Sequence, residues 1–287
     1  NMDFLLNELS LCGQFKDTDS FLKSLACMVK CIELIHQNGG ADMQIYKTMD
    51  FYNCNVTETV KLCQMKNYGV SDELLKFKIK LDNEIYEEPM WDRNPFHDIE
   101  QKFEWNGQDV SATSLAEAVV RRGTLLSFCM DIFKDCELSV YNNEKECSII
   151  SVHSPQYLVE KHRNILNIDR KTFLQIRYEG SRIDCSLLET KYGPEYLEKN
   201  EFRELISTLD KFIQHNSWET IAVDDGLEYK KYTPGSENEN WFSGRKYKGK
   251  TIMKFRFSSV LRCFGYRKED RFRILRIERD HKISDHG

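Results

Sequence analysis

The chain has 287 residues, of which 40% are hydrophobic and 30% charged, with a net charge of −5. That balance excludes a disordered or fibrous protein and provides core for one large domain or two ordinary ones. No stretch approaches the roughly 18 apolar residues of a membrane span, and no basic-then-apolar leader opens the chain. A cytoplasmic protein is expected, with Met2 as its natural start.

Residues 2–12 alternate loosely and read as a strand. Asp17, Thr18 and Asp19 offer caps for a helix whose apolar positions, Phe21 through Ile35, recur near every 3.6 residues until Gly39-Gly40. A strand over 43–51, a short helix over 56–65 and a helix capped by Ser71 or Asp72 follow. Asn106-Gly107 marks a hairpin within 103–110. A helix over 114–122 precedes strands at 125–130, 137–141 and 147–152. Ser154-Pro155 starts another helix. Residues 173–177 and 182–188 read as strand or loop.

Residues 195–214 carry the spacing of a long amphipathic helix. Three strands, 251–257, 260–267 and 271–278, then close the chain through short connections, which makes an antiparallel meander the expected arrangement. The fold class is therefore α+β. A mixed α/β domain over 1–192 is expected, then a helix-plus-sheet domain over 193–287, divided at Lys191-Tyr192-Gly193-Pro194.

The ten cysteines are scattered, mostly in apolar runs, and no CxxC occurs. They read as reduced thiols rather than a disulfide framework or a zinc site, so no metal and no cofactor is expected. G-x-S-x-G, P-loop, G-x-G-x-x-G and H-E-x-x-H patterns are absent. Two E-x-K elements, Glu228-Tyr229-Lys230 behind Asp224 and Asp225 and Glu100-Gln101-Lys102 behind Asp98, have the form of a metal-dependent nuclease site. They read more simply as solvated charge. His97-Asp98 beside Trp91 and Trp105 reads as a structural histidine, His36 as a cation suited to a helix end, and His153 and His162 flank a helix start without an evident partner.

Charge is distributed unevenly. From Trp241 to Gly287 there are 14 Lys+Arg against 5 Asp+Glu, so the remainder of the chain is acidic. The cations are threaded through alternating apolar residues, which a disordered basic arm lacks. A folded basic sheet of this kind is a surface for a polyanion, with RNA the first choice.

The stretches KTIMKFRF (250–257), VLRCFGYR (260–267) and RFRILRIERDHK (271–282) resemble the RelE/ParE-like toxin superfamily, which includes ribosome-dependent messenger-RNA interferases. The resemblance covers the last third of the chain. It implies a metal-independent ribonuclease with Lys254 and Arg256 on the first strand, Arg262 on the second and His281 after the third as candidate catalytic residues. Such chemistry needs the 2′-oxygen activated, the phosphate charge stabilised and the leaving oxygen protonated, tasks that suit Arg, His and Lys. Lys250, Tyr266, Arg267, Arg271 and Arg273 are candidate nucleic-acid-binding residues. Arg262 is expected on an open sheet face, so that its loss costs affinity rather than stability. An acidic front joined to a toxin-like end is similar in make-up to bacterial toxin and phage-defence effectors, with RNA or the ribosome as partner. The competing expectation is a non-enzymatic adaptor whose basic sheet meets an acidic protein, an antitoxin or its own N-terminal domain.

Overall fold

The computed structural model describes residues 2–40, 43–66, 69–98 and 100–279. The chain divides into two compact units, 1–168 and 169–287, each an α+β arrangement around one mixed sheet.

The first unit runs β1 (Phe4–Leu6), α1 (Thr18–Asn38), β2 (Ile45–Tyr46), α2 (Asp72–Tyr86), β3 (Phe103–Trp105), β4 (Gln108–Asp109), α3 (Ser114–Arg121), β5 (Thr124–Leu126), β6 (Cys136–Asn142), β7 (Lys145–Val152) and α4 (Pro155–His162). The sheet order is β2-β1-β5-β7-β6-β3-β4. The first four are parallel and the rest pair antiparallel. Leu5 pairs with Leu125, and both pack against Leu115, Ala116 and Ala118 of α3. Asp17 caps α1 by accepting from the Ser20 amide at 2.7 Å.

The 56–65 segment does not form the expected helix. The Thr57 hydroxyl accepts from the amides of Thr59 and Val60, and the Val56 amide donates to the Val60 carbonyl, closing a turn in place of a cap. A single 3₁₀ turn, Leu62–Gln64, is all that forms.

His162 is 2% exposed, with its ring edge on Phe4 and Nε2 3.0 Å from Thr124 Oγ1. Burial pushes its pKa down to about 4. Unfolded, the imidazole titrates near 6.5, so between those values the unfolded chain takes up a proton that the folded chain refuses. Stability is therefore level above about pH 6.5 and falls by roughly 3 kcal/mol as pH drops towards 4. Denaturant midpoints of His162→Gln between pH 7 and 4.5 are expected to lose this part of the slope. An unchanged slope would contradict it.

The second unit runs α5 (Arg170–Arg177), β8 (Ile183–Asp184), α6 (Lys199–Gln214), α7 (Trp218–Ala222), β9 (Lys230–Lys231), β10 (Met253–Arg256), β11 (Arg262–Lys268) and β12 (Arg271–Glu278). The sheet order is β8-β12-β11-β10-β9, with β8 parallel to β12 and the rest antiparallel. The β8–β12 pairing explains why the unit begins at 169 rather than at 193: residues 169–192 belong with the sheet that β8 edges. Residues 170–177 are helical because the Asp169 carboxylate accepts from the Thr172 amide at 2.7 Å, a cap that turns Phe173, Leu174 and Ile176 inward.

Helix α6 buries Phe202, Leu205, Leu209 and Phe212. The Phe212 ring lies 5.1 Å from Phe255 and 5.9 Å from Phe272. Phe255 is in register with Cys263, and Cys263 with Ile277, so these side chains make the helix-facing side of the sheet. The other side carries Lys254, Phe264 and Arg276 in one row and Arg256, Arg262 and Glu278 in the next. A bulge at Phe264/Gly265 then sets Tyr266 opposite Arg273.

Candidate nucleic-acid interface

Alternation in β10 and β11 puts Lys254, Arg256 and Arg262 on one sheet face, opposite the face that meets α6. This face is not the open, solvated surface expected of a half-buried meander. Phe264, Tyr266 and Leu275 pack under Tyr232, Trp241, Phe242 and Tyr247 from the segment between β9 and β10. Arg276 latches that segment. Its guanidinium lies 4.6 Å from the Tyr192 ring centroid and 4.9 Å from that of Phe242, and Nε donates to Glu189 at 2.9 Å. Glu189 also binds Lys246 at 2.8 Å and accepts from the Tyr247 hydroxyl. These contacts hold Glu189 below the usual carboxylate range against the cost of its burial.

The three described members of the candidate catalytic set are engaged within the fold. Arg262 is 7% exposed, in contrast to the open-face placement expected of it. Its Nη1 donates to the carbonyls of Ser258, Ser259 and Leu261 at 3.0, 3.3 and 3.1 Å, closing the β10–β11 turn. Nη2 stands 3.9 Å from Glu228. Arg256 pairs with the same carboxylate at 3.1 Å and donates to the Asp225 carbonyl at 3.1 Å. Glu228 therefore brackets two arginines that face each other across the strand pair. Its backbone sits at φ 45° to do so. Lys254 is 6% exposed; burial first and the Arg262 charge next lower its amine pKa. His281 lies outside the described residues.

The candidate binding residues divide differently. Lys250, Tyr266, Arg267 and Arg273 line one groove of about 880 Å³, together with Tyr229 and Lys268. No carboxylate lines it among the described residues. The groove occupies the end of the sheet where β10 and β12 begin and β11 finishes. Arg256, Arg262 and Glu278 mark the opposite end of the same strands. The Lys250 ammonium stands 4.6 Å over the Tyr266 ring. Arg267 is aimed by the Glu269 carbonyl at 2.9 Å and by the Trp218 ring at 4.3 Å. Arg273 Nε is buried and meets no hydrogen-bond acceptor among the described residues, with Asp184 Oδ2 at 3.8 Å.

Two residues depart from their expected roles. Tyr266 is 8% exposed beneath Lys250, so it forms a wall of the groove and presents no free face for a stacked base. Arg271 does not line the groove. It donates to the carbonyls of Ser181 at 2.8 Å and Ile183 at 2.9 Å, and pairs with Asp184 at 3.5 Å, which secures β8 to β12.

A second basic concavity of about 560 Å³ shares Lys250 and Thr251 with the first. Lys231, Arg245 and Lys248 line it beside Tyr247, again without a carboxylate among the described residues. These cations were not singled out from the sequence, although the run GRKYKGK (244–250) is a local signal for them.

The acidic E-x-K elements do not converge. Asp224 is held by Lys211 at 3.1 Å and His215 at 2.9 Å, and Glu228 by the arginines. No group of three or more His, Cys, Asp or Glu side chains is gathered as for a metal ion among the described residues. In the first unit, His97 binds Glu117 at 2.5 Å rather than Asp98. Glu117 also accepts from Arg121 at 2.6 Å and from the Phe96 amide at 2.9 Å, a wholly internal network. No helix among the described residues is long and apolar enough to cross a membrane. Comparisons with protein-family models, curated proteins and solved structures found no match.

Proposed function

We propose that the second unit binds RNA through the groove lined by Lys250, Arg267, Lys268 and Arg273. The observation that carries this reading is the groove itself: four cations and two tyrosines converge with no carboxylate in the lining among the described residues, and of the four cations Arg273 pairs with an acid outside it, Asp184. Cations on a protein surface ordinarily sit among acids, as Arg256, Arg271, Arg273 and Arg276 do here. A concavity that gathers only positive charge raises the local concentration of a polyanion and suits its phosphates. Arg273 completes the wall, with its Nε 3.8 Å from the Asp184 carboxylate. A toxin or phage-defence effector is the setting that the interferase-like strands imply for such a surface.

Binding by the full chain to single-stranded RNA, wild type against Lys250→Glu/Arg267→Glu/Lys268→Glu, tests the reading. Each charged hydrogen bond contributes about 1.5–3 kcal/mol, so the triple variant is expected to bind about 100-fold more weakly or worse at low salt. Its melting temperature should be unchanged, because all three side chains are exposed. Equal affinity in the two proteins would overturn the proposal. RNA fragments accumulating during the assay would extend it to cleavage. Tight binding of polyglutamate with no binding of RNA would favour an acidic protein partner instead.

A further inference from the structure

We propose that the two basic concavities form one continuous track for a single RNA strand, with Lys250 at the crossing point and the Lys231–Arg245–Lys248 concavity as a second subsite. The inference rests on the RNA reading above and adds a site which that reading does not need. Three observations carry it. The two concavities are contiguous, because both are lined by Lys250 and Thr251. Both are cationic with no lining carboxylate among the described residues, so a chain of phosphates can pass from one to the other without crossing a repulsive wall. Their volumes, about 560 and 880 Å³, each fall in the range that holds a small organic ligand, the scale of a mono- or dinucleotide.

The shape favours a single strand. Two concavities that meet at Lys250 and Thr251 are each of a size for one or two nucleotides, not for the width of a duplex. A flexible phosphodiester strand fits them, whereas a duplex presents a stiff rod. Single-strand binders generally use such a charged groove that tracks the backbone. The second subsite is also firmly built: Tyr247 in its lining is held by Glu189 and by the Arg276 guanidinium, whose Nη2 donates to the Tyr247 hydroxyl at 3.2 Å. The exposed Lys231 side chain comes from the edge strand β9.

The test is equilibrium binding by the full chain to labelled oligouridylates of roughly 4 and roughly 12 nucleotides, spanning known single-strand site sizes. The chains compared are wild type, Lys231→Glu/Lys248→Glu and the milder Lys231→Gln/Lys248→Gln, each checked for an unchanged melting temperature. The track predicts that wild type binds the longer RNA more tightly, with a salt slope steeper by about 2, from three added cations at about 0.7 each. Both double variants should weaken the longer RNA, the glutamate pair by about tenfold, and leave the shorter one within about twofold. Variants that bind both lengths as wild type does would overturn the track while leaving the first groove's function standing. A loss for both lengths alike would also overturn it, by making the second concavity the sole site. If wild type binds neither RNA while Lys250, Arg267 and Lys268 are intact, the RNA reading itself fails, and the track with it.

Discussion

Gly265→Ala is expected to cost the second unit about 3 kcal/mol, and to weaken RNA binding as a consequence. Gly265 sits at the bulge between β11 and β12 and pairs with Ile274. A Cβ there would lie 2.0 Å from the Arg273 carbonyl oxygen and 2.8 Å from its carbon. Both are backbone atoms, so no side-chain rotation relieves the collision and the strands must part. Overpacking in a tight site typically costs about 1–3 kcal/mol, and a backbone clash belongs at the upper end. The displaced strand carries Phe272, which packs on Phe212, and Arg273, which lines the groove. Stability and binding should therefore fall together. Denaturant unfolding and RNA titration of the same sample check this, and a stability change within about 0.5 kcal/mol would contradict the bulge geometry.

Arg262→Ala is expected to separate the two quantities. The side chain donates to three carbonyls at the β10–β11 turn and stands in the field of Glu228 and Glu278. Deleting one partner of a buried charge network costs about 3–5 kcal/mol when the pair is tight. With Glu228 as far as 3.9 Å away, about 3 kcal/mol is the expected loss. RNA affinity should stay within about threefold, because Arg262 lies at the strand ends remote from the groove. Arg262→Lys keeps the charge but cannot reach three carbonyls at once, so its stability should fall between the two. A stable Arg262→Ala protein that no longer binds RNA would reverse the assignment and return Arg262 to the binding surface.

The elements legible from the sequence were those with a sustained period. Helix α6 declares itself through Phe202, Leu205, Leu209 and Phe212, and the meander through alternation on either side of Phe255 and Phe264. The two-residue strands β8 and β9 are too short to carry a period, and the parallel pairing of β8 with β12 is a long-range event that local pattern does not encode. That pairing is also why the second unit starts before Gly193-Pro194. The bulge at Gly265 shifts the register by one residue, so alternation along β12 alone misplaces Arg273 relative to Arg276.

The candidate site was legible as charge but not as geometry. Arg262 and Arg267 look alike in the sequence, each a cation in an apolar strand. One is buried against carbonyls and the other stands exposed over Trp218. What separates them is the aromatic cover from Tyr232 to Tyr247 and the bracket at Glu228, both distant in the chain from β11. The convergence of Lys250 with Arg267, Lys268 and Arg273 arises only once three strands have paired.

The measurement closest to the central claim is the affinity of the full chain for single-stranded RNA between about 50 and 200 mM salt. Four groove cations at about 0.7 counterions each give an expected slope of log K against log salt near −3, or steeper on longer strands. On a strand of roughly 4 nucleotides, which fills this groove alone, the slope of the Lys250→Glu/Arg267→Glu/Lys268→Glu protein should collapse to about −1 or less, from the remaining Arg273. A flat slope for the wild type, or no RNA binding at the lowest salt, would contradict the account.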